Sequence, residues 1–210
     1  MTARLWQTRA GTARRSVASS LAAPVCLIGG WFLAAAVQPG GFDSVTDTIS
    51  ALAGTDTPSR WIMTTAFIAT GVAHIVTASG LGTAPKSARI GLAIGGASLI
   101  AVAAFPVSAT ATPVAHSAAA LVGFASLACW ASLGRWSQQP AEARWVTRPV
   151  VRHGVTIGLS TLTALFLLQV ITGGDQIGLT ERLAAGAEAL WPLAISLGTY
   201  SVATPAPRRR

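Results

Sequence analysis

Six apolar runs, each close to the length of a membrane-spanning helix, restrict what this chain can fold into. They cover residues 17–38, 60–82, 90–106, 113–134, 153–172 and 182–203. A helix needs roughly 20 mostly apolar residues to cross the hydrocarbon core of a bilayer. Backbone groups in lipid must be satisfied within the segment, which excludes an open sheet. The runs therefore predict an all-α polytopic membrane bundle of six transmembrane helices, forming one membrane domain over residues 1–210.

The low charge content supports the same prediction. The chain is 51% hydrophobic and only 10% charged, whereas a soluble domain carries about 25% charged residues. The formal net charge is +8, but the basic residues are scattered through the gaps between the apolar runs. Since they form no single basic patch, nucleic acid is not an expected partner. The expected partner is the lipid bilayer.

The distribution of lysine and arginine predicts the orientation. Thirteen of them lie in the two terminal segments and in the connections on one side, and only Arg60 and Arg182 lie on the other. Because positive connections stay in the cytoplasm, both termini are predicted to be cytoplasmic in a multi-pass protein of the cell membrane. An alternative interpretation treats the first run as a signal peptide cleaved after residues 34–36, which would leave five helices.

The longest connection on the outer side runs from residue 39 to residue 59. Ser44 and Asp47 have the spacing of a capping box, and an apolar helical face follows at Val45, Ile49 and Leu52. We therefore expect a short amphipathic outer helix between the first two spans. Asp43 and Asp47 either cap this helix or line an outward-facing pocket, and the sequence leaves both interpretations open.

Glu188 is the most informative single residue. It lies about 10 Å into the last predicted span, at 1.5 Å per residue, where an ionisable group is costly unless it is paired, protonated or hydrated. Pro192, four residues later, has no N–H to donate to the carbonyl of Glu188. We expect either a structural contact with a neighbour such as Arg60 or His116, or a role in binding or proton movement.

The sequence predicts no metal and no cofactor. The three histidines, at positions 74, 116 and 153, fall at different depths of the predicted bundle, whereas a haem between two helices needs a facing pair. No pair has the spacing of a zinc site. Cys26 and Cys129 both lie inside apolar runs, where thiols behave as small hydrophobic groups.

Several short motifs resemble those of a bacterial membrane family called domain of unknown function 998. The matching residues are Phe42-Asp43, Asp47-Thr48-Ile49-Ser50 with Leu52, Arg60-Trp61, Phe105-Pro106, His116, the run Gly178-Leu179-Thr180-Glu181-Arg182-Leu183, and Trp191. The resemblance covers roughly residues 20–203 and implies a six-helix integral membrane protein without a known activity. It also implies that Asp43, Asp47, His116 and Arg182 belong together. Members often carry an acidic residue after Phe-Pro, where this chain has Val107-Ser108-Ala109.

These observations favour a non-enzymatic membrane protein that binds a lipid or other amphiphile in an outward-facing polar cavity, or that acts as an accessory subunit. The candidate ligand-binding residues are Asp43, Asp47, Arg60, His116, Arg182 and Glu188. A small transporter with Glu188 as its proton-coupling carboxyl is one alternative, and a membrane enzyme acting on a lipid-linked substrate is another. A second copy of the chain or another subunit is a further candidate partner, and the sequence does not choose between these hypotheses.

Overall fold

The computed structural model describes residues 3–136 and 144–203, and within those ranges every regular element is a helix. The α-helices are α1 (Ala3–Ala36), α2 (Arg60–Gly80), α3 (Lys86–Ala104), α4 (Val114–Cys129), α5 (Arg144–Thr147), α6 (Pro149–Thr172) and α7 (Ile177–Ala203). Two short 3-10 helices, Ser50–Ala53 and Trp130–Ser132, complete the set. The predicted all-α class is therefore confirmed.

Five helical stretches in the described part of the chain are long and apolar enough to cross a membrane. They are Gly11–Ala36, Arg60–Gly80, Lys86–Ala104, Val114–Ser132 and Pro149–Thr172. The last helix, α7, is outside this group, and it carries Glu188 and Pro192 within its apolar run. A sixth span and the orientation of the termini remain predictions. For description, the end of the bundle that carries residues 37–59 is called the outer end.

Small residues let the first three helices approach closely. A Cβ atom added to Gly30 of α1 would lie 2.3 Å from the Cβ of Ala66 in α2. A Cβ added to Gly71 of α2 would lie 2.4 Å from the carbonyl oxygen of Gly96 in α3. Close backbone approach of this kind is how helices gain packing energy in lipid, where the hydrophobic effect gives no preference for protein over acyl chains. Helices α1 to α3 therefore form the tightly packed part of the bundle.

Buried apolar side chains form one cluster at each end of the bundle. The outer cluster includes Trp31, Leu52, Met63 and Phe67. The inner cluster is built around Trp130, Leu92, Val146 and Ile195. These two clusters fix the helix ends, and between them lies the polar interior described below.

The predicted amphipathic helix on the outer side is only partly formed. The chain makes a turn at residues 44–47 and then the four-residue 3-10 helix Ser50–Ala53. The predicted capping box of Ser44 and Asp47 is wrong. Instead, Oδ1 of Asp43 accepts the N–H of Val45 at 2.8 Å, and Oδ2 of Asp47 accepts the N–H of Asp43 at 2.8 Å.

Only part of the predicted apolar face of this segment is buried. Ile49 is 1% exposed and Leu52 is fully buried, but Val45 is 43% exposed. The physical reason is that the segment packs on α7 and exchanges hydrogen bonds with it, including one from the N–H of Leu179 to the carbonyl of Val45 at 3.0 Å. These bonds replace the ones that a longer local helix would make.

Candidate functional site

Arg182 joins α7 to the outer connection. Its Nη1 atom donates to the carbonyl oxygens of Ser44 at 2.8 Å, Asp47 at 2.7 Å and Gly178 at 2.9 Å. The guanidinium also lies 5.5 Å from the centre of the Phe42 ring, within the range of a cation–π contact. The two hydrogens of Nη1 are shared among these three oxygens, and Nη2 is buried without a partner among the described residues. Residues 42–47 are therefore held against the first turns of α7.

Glu181, next to Arg182, holds the following part of the same connection. Its carboxylate accepts hydrogen bonds from the N–H of Ile49 and, at 3.4 Å, from the hydroxyl of Ser50. Glu181 is only 5% exposed and precedes the predicted span 182–203. Burial raises the pKa of this carboxyl to about 7, against the opposing effects of the Ile49 N–H, the Arg182 charge and Ser50. The protonated and ionised forms of Glu181 are thus similarly populated near neutral pH.

Below this contact lies a cavity of about 230 Å³ between the helices. Its outer end is lined by Thr48, Ser50, Thr112, His116 and Glu181, and its inner part by His74, Ser98 and Glu188. The walls between these polar groups are apolar side chains, including Leu121, Phe124, Phe166 and Val170. A mostly apolar cavity with a few convergent polar groups is the usual form of a small-molecule site.

One wall of the cavity is also part of the exposed side of the bundle. Leu121 of α4 and Val170 of α6 both line the cavity, and they are 53% and 48% exposed. Phe124 and Phe166 of the same two helices meet with their ring centres 5.2 Å apart. The side chains at the surface between α4 and α6 therefore form part of the cavity wall.

Glu188 lies at the inner part of this cavity and is 1% exposed. Its Oε1 accepts a hydrogen bond from the hydroxyl of Thr163 on α6 at 3.0 Å. At 1.5 Å per residue it is about 16 Å from Ile177, the first residue of α7. The partner of this buried carboxyl is therefore Thr163, rather than Arg60 or His116 as the sequence suggested.

His74 faces the same cavity from α2. It is fully buried, and neither ring nitrogen has a hydrogen-bond partner among the described residues. A buried polar atom without a partner costs roughly 1–3 kcal/mol, so such a group is uncommon unless it serves a purpose. No sequence pattern indicated this, because a single histidine in an apolar run is typical of a packing residue.

His116 sits at the outer end of the cavity, near the start of α4. Its Nδ1 lies 2.8 Å from the carbonyl oxygen of Phe105. A carbonyl oxygen only accepts, so Nδ1 carries the hydrogen, and Nε2 of the neutral ring is left as an acceptor. The bond also ties the start of α4 to the end of α3, across the connection 105–113.

The six residues predicted for the site fall into three places. Asp43, Asp47 and Arg182 come together in the contact between the outer connection and α7. His116 and Glu188 line the cavity. Arg60 joins neither group, since its guanidinium packs over the ring of Trp61 at 4.4 Å. Whether any of them binds a ligand remains a prediction.

Sequence reasoning missed Glu181, His74 and Thr163. The motif that carries the family resemblance includes Glu181, which was the available signal, but the contact with Ile49 spans 132 positions of the chain. Among the described residues no group of three or more His, Cys, Asp or Glu is arranged to hold a metal ion. The chemistry that the arrangement offers is hydrogen bonding and charge at the two ends of an apolar space.

Comparison with family models gives a match over most of the chain. A family model described as "Protein of unknown function (DUF998)" matches residues 20–198, a range that includes every residue lining the cavity. No curated protein and no solved structure matches the chain. The family description names no activity, so the functional argument depends on the residues themselves.

Proposed function

This chain belongs to the DUF998 family of proteins of unknown function, and on that premise we propose that it is an integral membrane protein that binds a lipid or other amphiphile in the cavity between its helices. The observation that carries this proposal is the cavity of about 230 Å³, whose walls are apolar and whose ends are polar. Such a space fits a molecule with an apolar chain and a polar group. Its wall at Leu121 and Val170 faces the region where membrane lipids would lie.

The proposal includes six spans, with residues 182–203 as the sixth, and both termini in the cytoplasm of a bacterial cell. The support is the charge bias of the connections and the length of α7, 27 residues. A reporter enzyme that is active only outside the cytoplasm, fused after the C terminus, is expected to be inactive. The same reporter inserted at the exposed Thr55 is expected to be active, and the reverse pattern would overturn the orientation.

Native mass spectrometry of the protein, released from a mild detergent without added ligand, tests the binding. We expect a discrete extra mass on the wild-type protein. Ala120 lines the cavity, so Ala120→Phe fills part of the space and is expected to abolish that mass. Ala125, on the same helix, is exposed and does not line the cavity, so Ala125→Phe is the matched control and should keep it. A bare wild-type protein, or an unchanged extra mass in Ala120→Phe, contradicts the proposal.

A proton-coupled transporter is the second candidate, and the observation in its favour is Glu188. A buried carboxyl inside a membrane bundle, in an accessible cavity, is typical of proton-coupled sites. The test is flux of candidate substrates in proteoliposomes under a proton gradient. Flux that Glu188→Gln abolishes would support transport, and flux that is unchanged in Glu188→Gln would exclude this carboxyl as the coupling group.

The enzymatic alternative has less support from the geometry. Asp43 and Asp47 bond within the outer connection and do not line the cavity that contains His116 and Glu188. Acid–base catalysis needs its groups within reach of one substrate, and these four are divided between two places. An accessory role with a second copy or another membrane protein as partner is compatible with binding, and crosslinking in native membranes followed by mass analysis tests it.

A further inference from the structure

The ionisable side chains that line the cavity favour a cationic ligand over an anionic one. Glu181 and Glu188 both line it, and its described lining residues include no lysine or arginine. The other polar groups are two histidines and the hydroxyls of Thr48, Ser50, Ser98, Thr112 and Ser117. A ligand with a carboxylate or phosphate would bring a like charge to these acids with no cation to offset it. A ligand with a cationic, donor-rich head would match them.

The two carboxyl groups differ in how many hydrogen bonds and neighbouring charges the protein already provides to them. Glu181 accepts from Ile49 and Ser50 and has the Arg182 charge beside it. Glu188 is 1% exposed, and among the described residues its hydrogen-bond partner is the single hydroxyl of Thr163. A buried carboxyl with one neutral donor has unused acceptor capacity, since a carboxylate offers about four lone-pair sites. Of the two carboxyl groups, Glu188 therefore has the larger unused capacity to accept hydrogen bonds from a ligand.

His74 adds an independent observation in the inner part of the cavity. It lies about 21 Å along α2 from Arg60, at 1.5 Å per residue, and both its ring nitrogens lack a partner among the described residues. A neutral imidazole has one donor and one acceptor nitrogen. The buried groups of the inner cavity thus include an unfilled acceptor on His74 as well as the carboxyl of Glu188, and a primary ammonium carries three donors.

We propose that the cavity selects amphiphiles with an amine head group, whose ammonium lies beside Glu188 and His74 while the apolar chain lies along Phe124, Phe166 and Val170. This inference rests on the proposed binding function and adds the ligand class. Ser98 is 7% exposed and lines the same inner part of the cavity, which places a hydroxyl near the head group. Anionic amphiphiles of equal chain length are rejected because the cavity offers them no cation.

Three probes with the same chain and different heads test this: octylamine, octanol and octanoate. Each is equilibrated with the protein in nanodiscs of a zwitterionic lipid, with empty nanodiscs as the blank, and bound probe is measured by dialysis. The wild-type protein is expected to bind octylamine most tightly and octanoate least. Glu188→Gln keeps the side-chain volume and removes the acid, so it should weaken octylamine binding by about tenfold or more and leave octanol unchanged. Asp175 is exposed at the outer end, and Asp175→Asn is the control for general loss of negative charge.

The outcomes separate the two proposals. Binding of octylamine no tighter than that of octanol, or a Glu188→Gln protein with unchanged preference for the amine, overturns the ligand class but leaves the cavity as a binding site. Failure of all three probes, together with a bare protein mass in the native spectrum, overturns the binding function itself. If Glu188→Gln does not fold, the wild-type comparison alone decides, because it needs no variant.

Discussion

Replacing Arg182 with glutamine is expected to release the outer connection from α7 without unfolding the bundle. The substitution removes the donor shared by the carbonyls of Ser44 and Asp47, which belong to the connection, and of Gly178, which belongs to α7. Only the first two bonds join separate elements. At about 1–1.5 kcal/mol for each net hydrogen bond, their loss costs about 2–3 kcal/mol. The cation–π contact with Phe42 is partly exposed and adds little.

Hydrogen exchange of peptides covering residues 42–53 measures this loss directly. Local opening sets the exchange rate of such a segment, and every 1.4 kcal/mol changes the rate tenfold, so we expect exchange to be faster by about 30- to 140-fold. Peptides from α2 and α3 should keep their wild-type rates. Arg60→Gln removes an equal charge on the same side but touches no carbonyl of the connection, so it should change nothing. Equal exchange in the Arg182 and Arg60 variants would refute the assigned role of Arg182.

Two further predictions concern stability. Because the pKa of Glu181 in the folded protein, about 7, is above its ordinary value of 4.5, the folded state binds that proton more tightly. The contribution is fully present below pH 4.5 and is lost as the pH rises through 7. The difference in unfolding midpoint between wild type and Glu181→Gln should therefore move in favour of the variant from pH 5 to pH 8, and a constant difference would contradict this. Gly71→Ala would place a Cβ atom 2.4 Å from the Gly96 carbonyl oxygen, so it should destabilise the bundle by about 1–3 kcal/mol. The control is Gly158→Ala, whose added Cβ would meet no atom within 4 Å and should not lower the unfolding midpoint. Equal midpoints for the two variants would show that the α2–α3 contact is not tight.

The sequence predicted the class of the fold because the bilayer imposes a simple rule on it. Length and apolar content identify a spanning helix without any knowledge of its neighbours, and five such helices are present in the described residues. The family was recognisable from short motifs that the family model also matches. The last predicted span is not among these five, and its helix contains Pro192 and also Glu188, which lines the cavity.

The sequence could not predict which groups are hydrogen-bonded to which side chains. The bond between Ile49 and Glu181 joins positions 132 apart, and the bond between Thr163 and Glu188 joins two helices whose relative rotation no local pattern reveals. The capping box failed for a local reason, since Asp43 and Ser44 are adjacent and both suit a cap. In the structure the carboxylate of Asp43 accepts the N–H of Val45. His74 gave no signal at all, because its significance comes from the cavity around it.

The wall shared by α4 and α6 has a consequence for how affinity must be expressed. A molecule that enters past Leu121 and Val170 reaches the cavity after partitioning into the bilayer, where each buried methylene group contributes about 0.8 kcal/mol to its accumulation. Longer chains therefore raise the local supply without any change in the contacts inside the protein. A dissociation constant quoted in molar units of aqueous ligand would combine the two steps. The mole fraction of ligand in the membrane at half occupancy isolates what Glu188 and its neighbours contribute.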